Sequence, residues 1–387
     1  MLATKRPAPT LTETRYLPIE EYGMIGDLST VALVGKNGSI DWCCLPDFDS
    51  PSVFGTLLDA GKGGSFRLAP VEQEGLGTKQ MYFPETNILI TRFLTHDGVG
   101  EITDFMPIKQ KGTARYEHHL VRAVHMVRGS LTFQVACRPA FNYARDTHAL
   151  QLSEHGAVFR SPKLTLALSS SVPLSDDGQG GAQASFTLSE DQSAFFFLDS
   201  SQNEHLLPHP FSQGMYEAQF AETRRYRLRW ISQCQYQGRW REHVQRSALV
   251  LKLLTYAPTG AIVAAPTTSL PEGIGGERNW DYRFTWFRDA AFTLDSLLAL
   301  GFTEEAEAFI DWLKGRLNEL QEGGELQPII PFAVAMRCPK SAWITWMGIG
   351  RGDEESCLAS LSEFLSTLFQ VYSCIVAERA PSKTEKN

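Results

Sequence analysis

The sequence predicts a mixed, two-domain fold, an N-terminal antiparallel β-sandwich followed by helices. Three observations carry that prediction. Short alternating or apolar runs, parted by turn residues, fill residues 16 to about 230, the pattern of an all-β domain. At residues 238–256 the apolar spacing switches to a helical period. A length of 387 residues accommodates two or three domains.

In chain order, residues 1–15 are rich in Pro and Thr and read as a loose arm. Strands are expected at 31–34, 87–94, 131–137, 157–160, 164–169 and 194–198. Turn signals separate them: Asn37-Gly38, His96-Asp97-Gly98 and the DDGQGG stretch from Asp176 to Gly181. A β region this long exceeds a simple sandwich of about 100 residues, so two extended sheets are expected. The first helix follows, with Trp240, Val244, Ala248, Leu251 and Leu254 on one wide face. A second starts with Asp289 near its N-cap and runs through Phe292, Leu294, Leu297 and Leu298 to Gly301. A third covers 303–320, with Glu304, Glu305 and Glu307 in its first turns, where negative charge suits the helix dipole. The expected organisation is an arm at 1–15, a sandwich at 16–234, helices at 235–327 and a divergent tail at 328–387.

Composition narrows the function classes. Hydrophobic residues at 43% and aromatics at 11% suit a globular chain with large cores. A net charge of −8 without a basic stripe argues against a nucleic-acid surface. Lys5 and Arg6 have no apolar run behind them, so no secretory signal is read. No window approaches the roughly 18 apolar residues of a membrane span. Seven scattered cysteines, with Cys43 and Cys44 adjacent and no CxxC pair, read as reduced thiols in a cytoplasm, with neither a disulfide framework nor a zinc site. His118-His119 and His205/His209 show no acidic or Cys partner arrangement in the sequence and read as ordinary surface or core residues. No GxSxG elbow or phosphate loop occurs, and no cofactor or metal is expected.

The most informative stretch is 265–300, APTTSLPEGIGGERNWDYRFTWFRDAAFTLDSLLAL. It sets Trp280, Tyr282 and Trp286 among Arg278, Arg283, Arg288, Glu277, Asp281 and Asp289, after a Gly-rich turn and before an apolar helix. Flat aromatic faces stack on the CH faces of a sugar ring, while guanidinium and carboxylate groups take its hydroxyls in paired hydrogen bonds. The competing reading is a buried aromatic cluster with paired charges. Glycosidic hydrolysis needs two carboxyl groups, and Glu272, Glu277, Asp281 and Asp289 are the acids available here. An Arg beside an Asp favours the charged carboxylate, so Asp289 reads as a binder of hydroxyls and not as the general acid.

Two blocks carry a family resemblance. The first, at 19–59, is IEEYGMIGDLSTVALVGKNGSIDWCCLPDFDSPSVFGTLLD. The second, at 249–313, is LVLKLLTYAPTGAIVAAPTTSLPEGIGGERNWDYRFTWFRDAAFTLDSLLALGFTEEAEAFIDWL. They resemble glycoside hydrolase family 15, the glucoamylase and bacterial trehalase-like group, over roughly residues 16–327. The resemblance implies that the second domain is the start of an (α/α)6 barrel, incomplete here. It further implies that Trp280, Asp281 and Tyr282 shape the floor of a sugar pocket. Trp286, Arg288 and Asp289 would contact the glucosyl unit at the non-reducing end. The substrate implied is an α-glucoside, whether α-glucan, maltooligosaccharide or trehalose. The family inverts configuration with a Glu acid and a Glu base. Both are expected in later barrel helices that this sequence does not reach, so no catalytic residue is assigned.

From about Pro328 the family pattern stops. Reading the third base of each codon with the first two of the next, Trp343-Ile344 must give Asp, Trp346-Met347 Asp and Met347-Gly348 Gly. Permitted codons then let residues 336–350 read ALPEKRLDHLDGYR, similar to the family's segment at this point. A shift of frame near codons 327–330 is therefore expected, leaving 328–387 an accidental peptide; the competing reading is a native capping helix at 357–377. The expected function is that of an α-glucoside hydrolase fragment holding its sugar-gripping residues without its acid and base. The alternative is a non-catalytic carbohydrate-binding or scaffold protein built on the sandwich, whose sugar binding would survive loss of the helices.

Overall fold

The computed structural model describes residues 16–71, 76–108, 117–210, 212–271, 278–319 and 329–330. The expected arm at 1–15, the competing helix at 357–377 and all of the tail except Ile329–Ile330 lie outside the described residues. Residues 22–201 form the strands β1 (Tyr22–Gly26), β2 (Val31–Gly35), β3 (Ser39–Cys44), β4 (Ser52–Phe54), β5 (Ser65–Pro70), β6 (Gly77–Tyr82), β7 (Leu89–Leu94) and β8 (Gly98–Phe105). They continue with β9 (His118–Arg138), β10 (Ala149–Ser153), β11 (Gly156–Arg160), β12 (Thr165–Ser170), β13 (Ser175–Asp176), β14 (Ala182–Ser189) and β15 (Ser193–Ser201). All pairings among them are antiparallel. Every strand expected from the sequence is present within a few residues, and the turn signals fall between strands as read.

The two sheets are joined by one strand. The first half of β9 lies between β8 and β15. Its second half lies between β5 and β14. Gly129 sits at the crossover with φ +75°, and a Cβ there would come within 2.1 Å of the Asp97 carbonyl oxygen. Alternating residues of both halves, among them Val124, Met126, Leu131, Phe133 and Val135, enter one core with Phe54, Phe66, Phe93, Ile102, Phe159 and Phe196. The other face of the β8–β9–β15 sheet carries Phe105, Val121 and Phe197.

That face is covered by a helix absent from the sequence reading, α1 (Gln213–Ile231). Residues up to about 230 were expected to be mostly β, and its nearly even spread of apolar residues explains why its period did not stand out. Ser212 caps it by accepting the Met215 amide at 3.3 Å. Tyr216 and Phe220 then pack on the sheet. Helices α2 (Arg241–Leu253), α3 (Phe287–Ala299) and α4 (Glu304–Glu319) follow, close to the expected bounds. Trp286, not Asp289, is the N-cap of α3; Asp289 stands in its first turn. A two-stranded pairing, β16 (Thr285–Trp286) with β17 (Ile329–Ile330), sits at the entrance to α3. Leu253, Ile262, Phe287, Leu294, Phe309 and Trp312 join Leu28, Val31 and Phe48 of the sandwich in a shared core. A large N-terminal antiparallel domain followed by helices is thus the architecture.

Three of the four histidines, His118, His119 and His209, do have an acidic partner that the sequence did not show. His118 Nδ1 lies 2.6 Å from Asp27 in the β1–β2 turn. His119 lies 2.6 Å from Asp199, and His209 reaches the same carboxylate at 3.3 Å. His209 belongs to the link from β15 to α1, which the Ser169 hydroxyl also holds by accepting the His209 amide at 3.0 Å. Hydrogen bonding to Asp199 outweighs burial and raises His119 above its ordinary 6.5, and the same balance raises His209. Burial would raise Asp199, yet the two histidines hold it below its ordinary 3.8.

Two predictions follow from this fold. Gly129→Ala combines a strained φ with a steric collision and should cost about 2–3 kcal/mol, read as a lower urea midpoint with an unchanged slope. For the cluster, stability from the raised histidines is complete below their unfolded value of 6.5 and fades as pH rises through the folded values. Stability from Asp199 is present above 3.8 and fades as pH falls. The melting temperature should therefore peak between about pH 4 and 6.5 and decline toward pH 8, with His209→Gln flattening the alkaline decline.

Candidate sugar-binding site

Residues 264–269 and 280–284 run antiparallel as the two arms of a hairpin. The Ala264 amide donates to Phe284 O at 3.1 Å, Ala265 to Tyr282 O at 2.8 Å and Ser269 to Trp280 O at 3.1 Å. Thr268 and Asp281 form a further bridge. The second arm carries Trp280, Asp281 and Tyr282 and leads through β16 into α3, which carries Arg288 and Asp289. The hairpin is docked on the sandwich: Trp42 Nε1 donates to Pro266 O at 2.8 Å.

Arg283 locks this docking. Its Nη2 and Nε donate to the two oxygens of Asp281 at 2.7 and 2.9 Å, and its own amide donates to Asp281 Oδ1 at 3.0 Å. Its Nη1 donates to Ser50 O at 2.8 Å and Phe48 O at 3.2 Å, in the loop between β3 and β4, and approaches Cys44 Sγ at 3.5 Å. Burial opposes the charged guanidinium, but the Asp281 hydrogen bonds prevail and its pKa is raised. Burial drives the Cys44 thiol up to about 11 despite the neighbouring Arg283, so it stays protonated. Asp281 therefore supports the hairpin and has both oxygens committed.

The remaining predicted residues are more open. The rings of Tyr282 and Trp286 lie 5.5 Å apart at 31°. Trp286 is half-buried, and among the described residues its Nε1 has no hydrogen-bond partner. Arg288 donates to Asp289 at 3.2 Å, with side chains 65% and 34% exposed. Trp280 is half-buried at the head of the arm. The structure thus brings together Tyr282 with Trp286 and Arg288 with Asp289, while Asp281 turns to Arg283. Arg283 was part of the sequence cluster but not among the predicted site residues. Its i, i+2 spacing from Asp281 on an extended arm was the available signal, since such residues share a face. Glu272 and Glu277 lie outside the described residues. Among the described residues no group of three or more His, Cys, Asp or Glu is placed to hold a metal ion. A depression of about 280 Å³ lined by Glu101, His125, Ser193, Phe195 and Tyr216 lies beside the start of α1 and shares no residue with the hairpin.

Arg283→Met leaves the Asp281 carboxylate and two loop carbonyls in a dry junction without their donor. The variant should lose about 3–5 kcal/mol in denaturant unfolding, measured by tryptophan emission.

Residues 10–192 match the trehalase-like N-terminal family model and residues 238–329 match glycosyl hydrolases family 15. Trehalase from Thermoplasma volcanium is 38% identical over 307 residues, covering 78% of this chain and 48% of that protein. Trehalase from Mycolicibacterium smegmatis is 37% identical over 330 residues, covering 79% and 48%. The chain spans about half the length of the curated relatives it matches. A bacterial glucoamylase solved with acarbose shares the fold at a TM-score of 0.57 and 12% identity, covering 81% of this chain and 52% of that one. No described helix is long and apolar enough to cross a membrane. With a trehalase-like N-terminal domain joined to a family 15 segment that carries the hairpin and its aromatic pair, the chain belongs to glycosyl hydrolases family 15.

Proposed function

We propose that the protein acts on α-glucosides, with trehalose the first substrate to test, by inverting hydrolysis of the glycosidic bond. The observation that carries the reading is the Tyr282–Trp286 ring pair standing beside the partly open Arg288–Asp289 pair at the start of α3. The rings present an apolar floor to a pyranose face, and the charged pair offers a fork of donors and two acceptor oxygens to its hydroxyls. Names of the relatives favour trehalose among the α-glucosides. We retain a reducing cytoplasm as the compartment, supported by the buried, free thiols of Cys43, Cys44, Cys137 and Cys234.

Inversion is a single displacement. A carboxylic acid protonates the leaving oxygen while a carboxylate on the opposite face draws a proton from water, with the two groups about 6.5–9.5 Å apart. Three described acids of the helical segment are engaged in other contacts. Asp281 is tied to Arg283, Asp289 faces Arg288, and Glu305 accepts from Lys252 at 2.6 Å and Trp230 Nε1 at 2.7 Å. We therefore assign neither the acid nor the base to a described residue and propose that the 387-residue chain by itself grips sugar without turning it over.

Isothermal titration with trehalose and maltose tests the grip, and a glucose-release assay tests turnover. Saturable binding should weaken about tenfold or more in Trp286→Ala and in Arg288→Ala, the loss expected for a stacking surface or a charge-assisted hydrogen bond. Binding indifferent to both substitutions would move the grip to the sandwich. Glucose release well above a buffer blank would overturn the view that this chain lacks its acid and base.

A further inference from the structure

The connection between β9 and β10 contains an unusual backbone. Asn142, Tyr143 and Ala144 have φ of 53°, 56° and 61°, a left-handed turn made by three successive residues that all carry a Cβ. L-residues avoid this region, and such outliers persist only where the surroundings over-determine them. Here the surroundings do so. Phe141 is 2% exposed and packs against His148 at 5.2 Å, and the Ala140 amide donates to Val53 O at 2.8 Å. Asn142 Nδ2 donates to Asp146 Oδ1 at 3.0 Å across the turn.

Phe141 anchors the turn in the core, so core packing alone does not account for the conformation of the next residue. What the left-handed step achieves is the placement of Tyr143. Its half-buried ring lies 6.0 Å below the Arg283 guanidinium and 5.2 Å from that of Arg145. The turn and the 45–51 loop thus meet Arg283 from the sandwich, one with a ring and the other with carbonyl oxygens.

We propose that Tyr143 is a positioning residue for the sugar-binding hairpin, holding Arg283 in the plane where it grips Asp281 and so fixing the arm that carries Trp280 and Tyr282. The inference rests on the sugar reading above for its functional meaning, though its structural content is separable. Burial pushes the phenol up to about 12 against the charge of Arg283 and its hydrogen bonding to the phenol oxygen, so Tyr143 meets the guanidinium as a neutral group, with both its ring and its hydroxyl, and not as an anion.

Hydrogen exchange on the full chain decides the matter. The Arg283 amide, bonded to Asp281 Oδ1, and the Ala264 and Ala265 amides, bonded across the hairpin, report on the arm. In Tyr143→Ala these amides should exchange about tenfold faster while Val124 and Val135 in β9 keep their protection. Tyr143→Phe, which keeps the ring and loses only the hydroxyl, should exchange more slowly than Tyr143→Ala, and Tyr143→Leu, which keeps bulk without the ring, should behave like Tyr143→Ala should the smaller variant fail to fold. Unchanged exchange at Arg283, or a uniform acceleration that includes β9, would overturn the proposal. Trehalose titration adds the functional arm, with Kd expected to rise about fivefold or more in Tyr143→Leu and to rise less in Tyr143→Phe. Absence of binding in the wild type would sink the sugar reading while the exchange result still decides the role of Tyr143.

Discussion

Taking a guanidinium out of water is costly unless acceptors surround it, and two arginines of this protein that are so surrounded tie its parts together. Arg122, fully buried in β9, donates to both oxygens of Asp104 on β8, to Gly38 O in the β2–β3 turn at 2.8 Å and to Phe66 O on β5. Those acceptors come from both sheets, so the charge can be buried only when the sheets are correctly paired. Arg283 repeats the device one level up. Its acceptors come from the helical segment through Asp281 and from the sandwich through Phe48 O and Ser50 O. Neither buried pair is evidence of large net stability, since burying charge is costly. Their effect is specificity: misdocked arrangements leave a cation orphaned.

From this constraint the sandwich acquires a part in the site. Among the described residues, the arms of the hairpin at 264–269 and 280–284 share a few backbone hydrogen bonds. Further order comes from outside, from Trp42 on Pro266 O and from the sandwich carbonyls around Arg283. The shared core of Phe48, Tyr256, Ile262 and Phe287 adds non-directional burial, and the Tyr256 hydroxyl fixes its register by donating to Asp47 at 2.7 Å. Any platform carried on such a hairpin inherits its geometry from the domain junction. Precise placement of a binding constellation requires this kind of rigid support.

Much of the fold was legible because its signals are local. Alternating and apolar runs exposed β2, β7, the second half of β9, β11, β12 and β15, Asn37-Gly38 and the DDGQGG stretch marked turns, and helical spacing exposed α2, α3 and α4. What escaped was set by tertiary contact. The first half of β9 carries His118, His119 and Arg122, polar residues that look out of place in a core strand until Asp27, Asp199 and Asp104 arrive from elsewhere in the chain. Helix α1 escaped because Tyr216 and Phe220 sit among evenly spread polar residues, and only the sheet beneath them shows which face is buried. The sugar cluster was visible as composition, but the division of labour among its charges was not. That division depends on which guanidinium meets the sandwich.

The contrast between two Arg–Asp pairs a few residues apart makes the division concrete. Asp281 and Arg283 are 9% and 6% exposed, share two direct hydrogen bonds and have their remaining capacity taken by backbone groups. Asp289 and Arg288 have the same chemistry, yet they are 34% and 65% exposed and share a single contact at 3.2 Å. A group whose donors and acceptors are satisfied and dry has nothing left to offer a ligand. A loosely paired group at a helix start can exchange its partner for a hydroxyl at little cost, because the exchange replaces one charge-assisted hydrogen bond by another. Sequence alone cannot tell these pairs apart, since both are an Asp near an Arg in one aromatic-rich stretch. Burial separates them: the first is committed to architecture, and the second stays loosely paired and partly open at the start of α3.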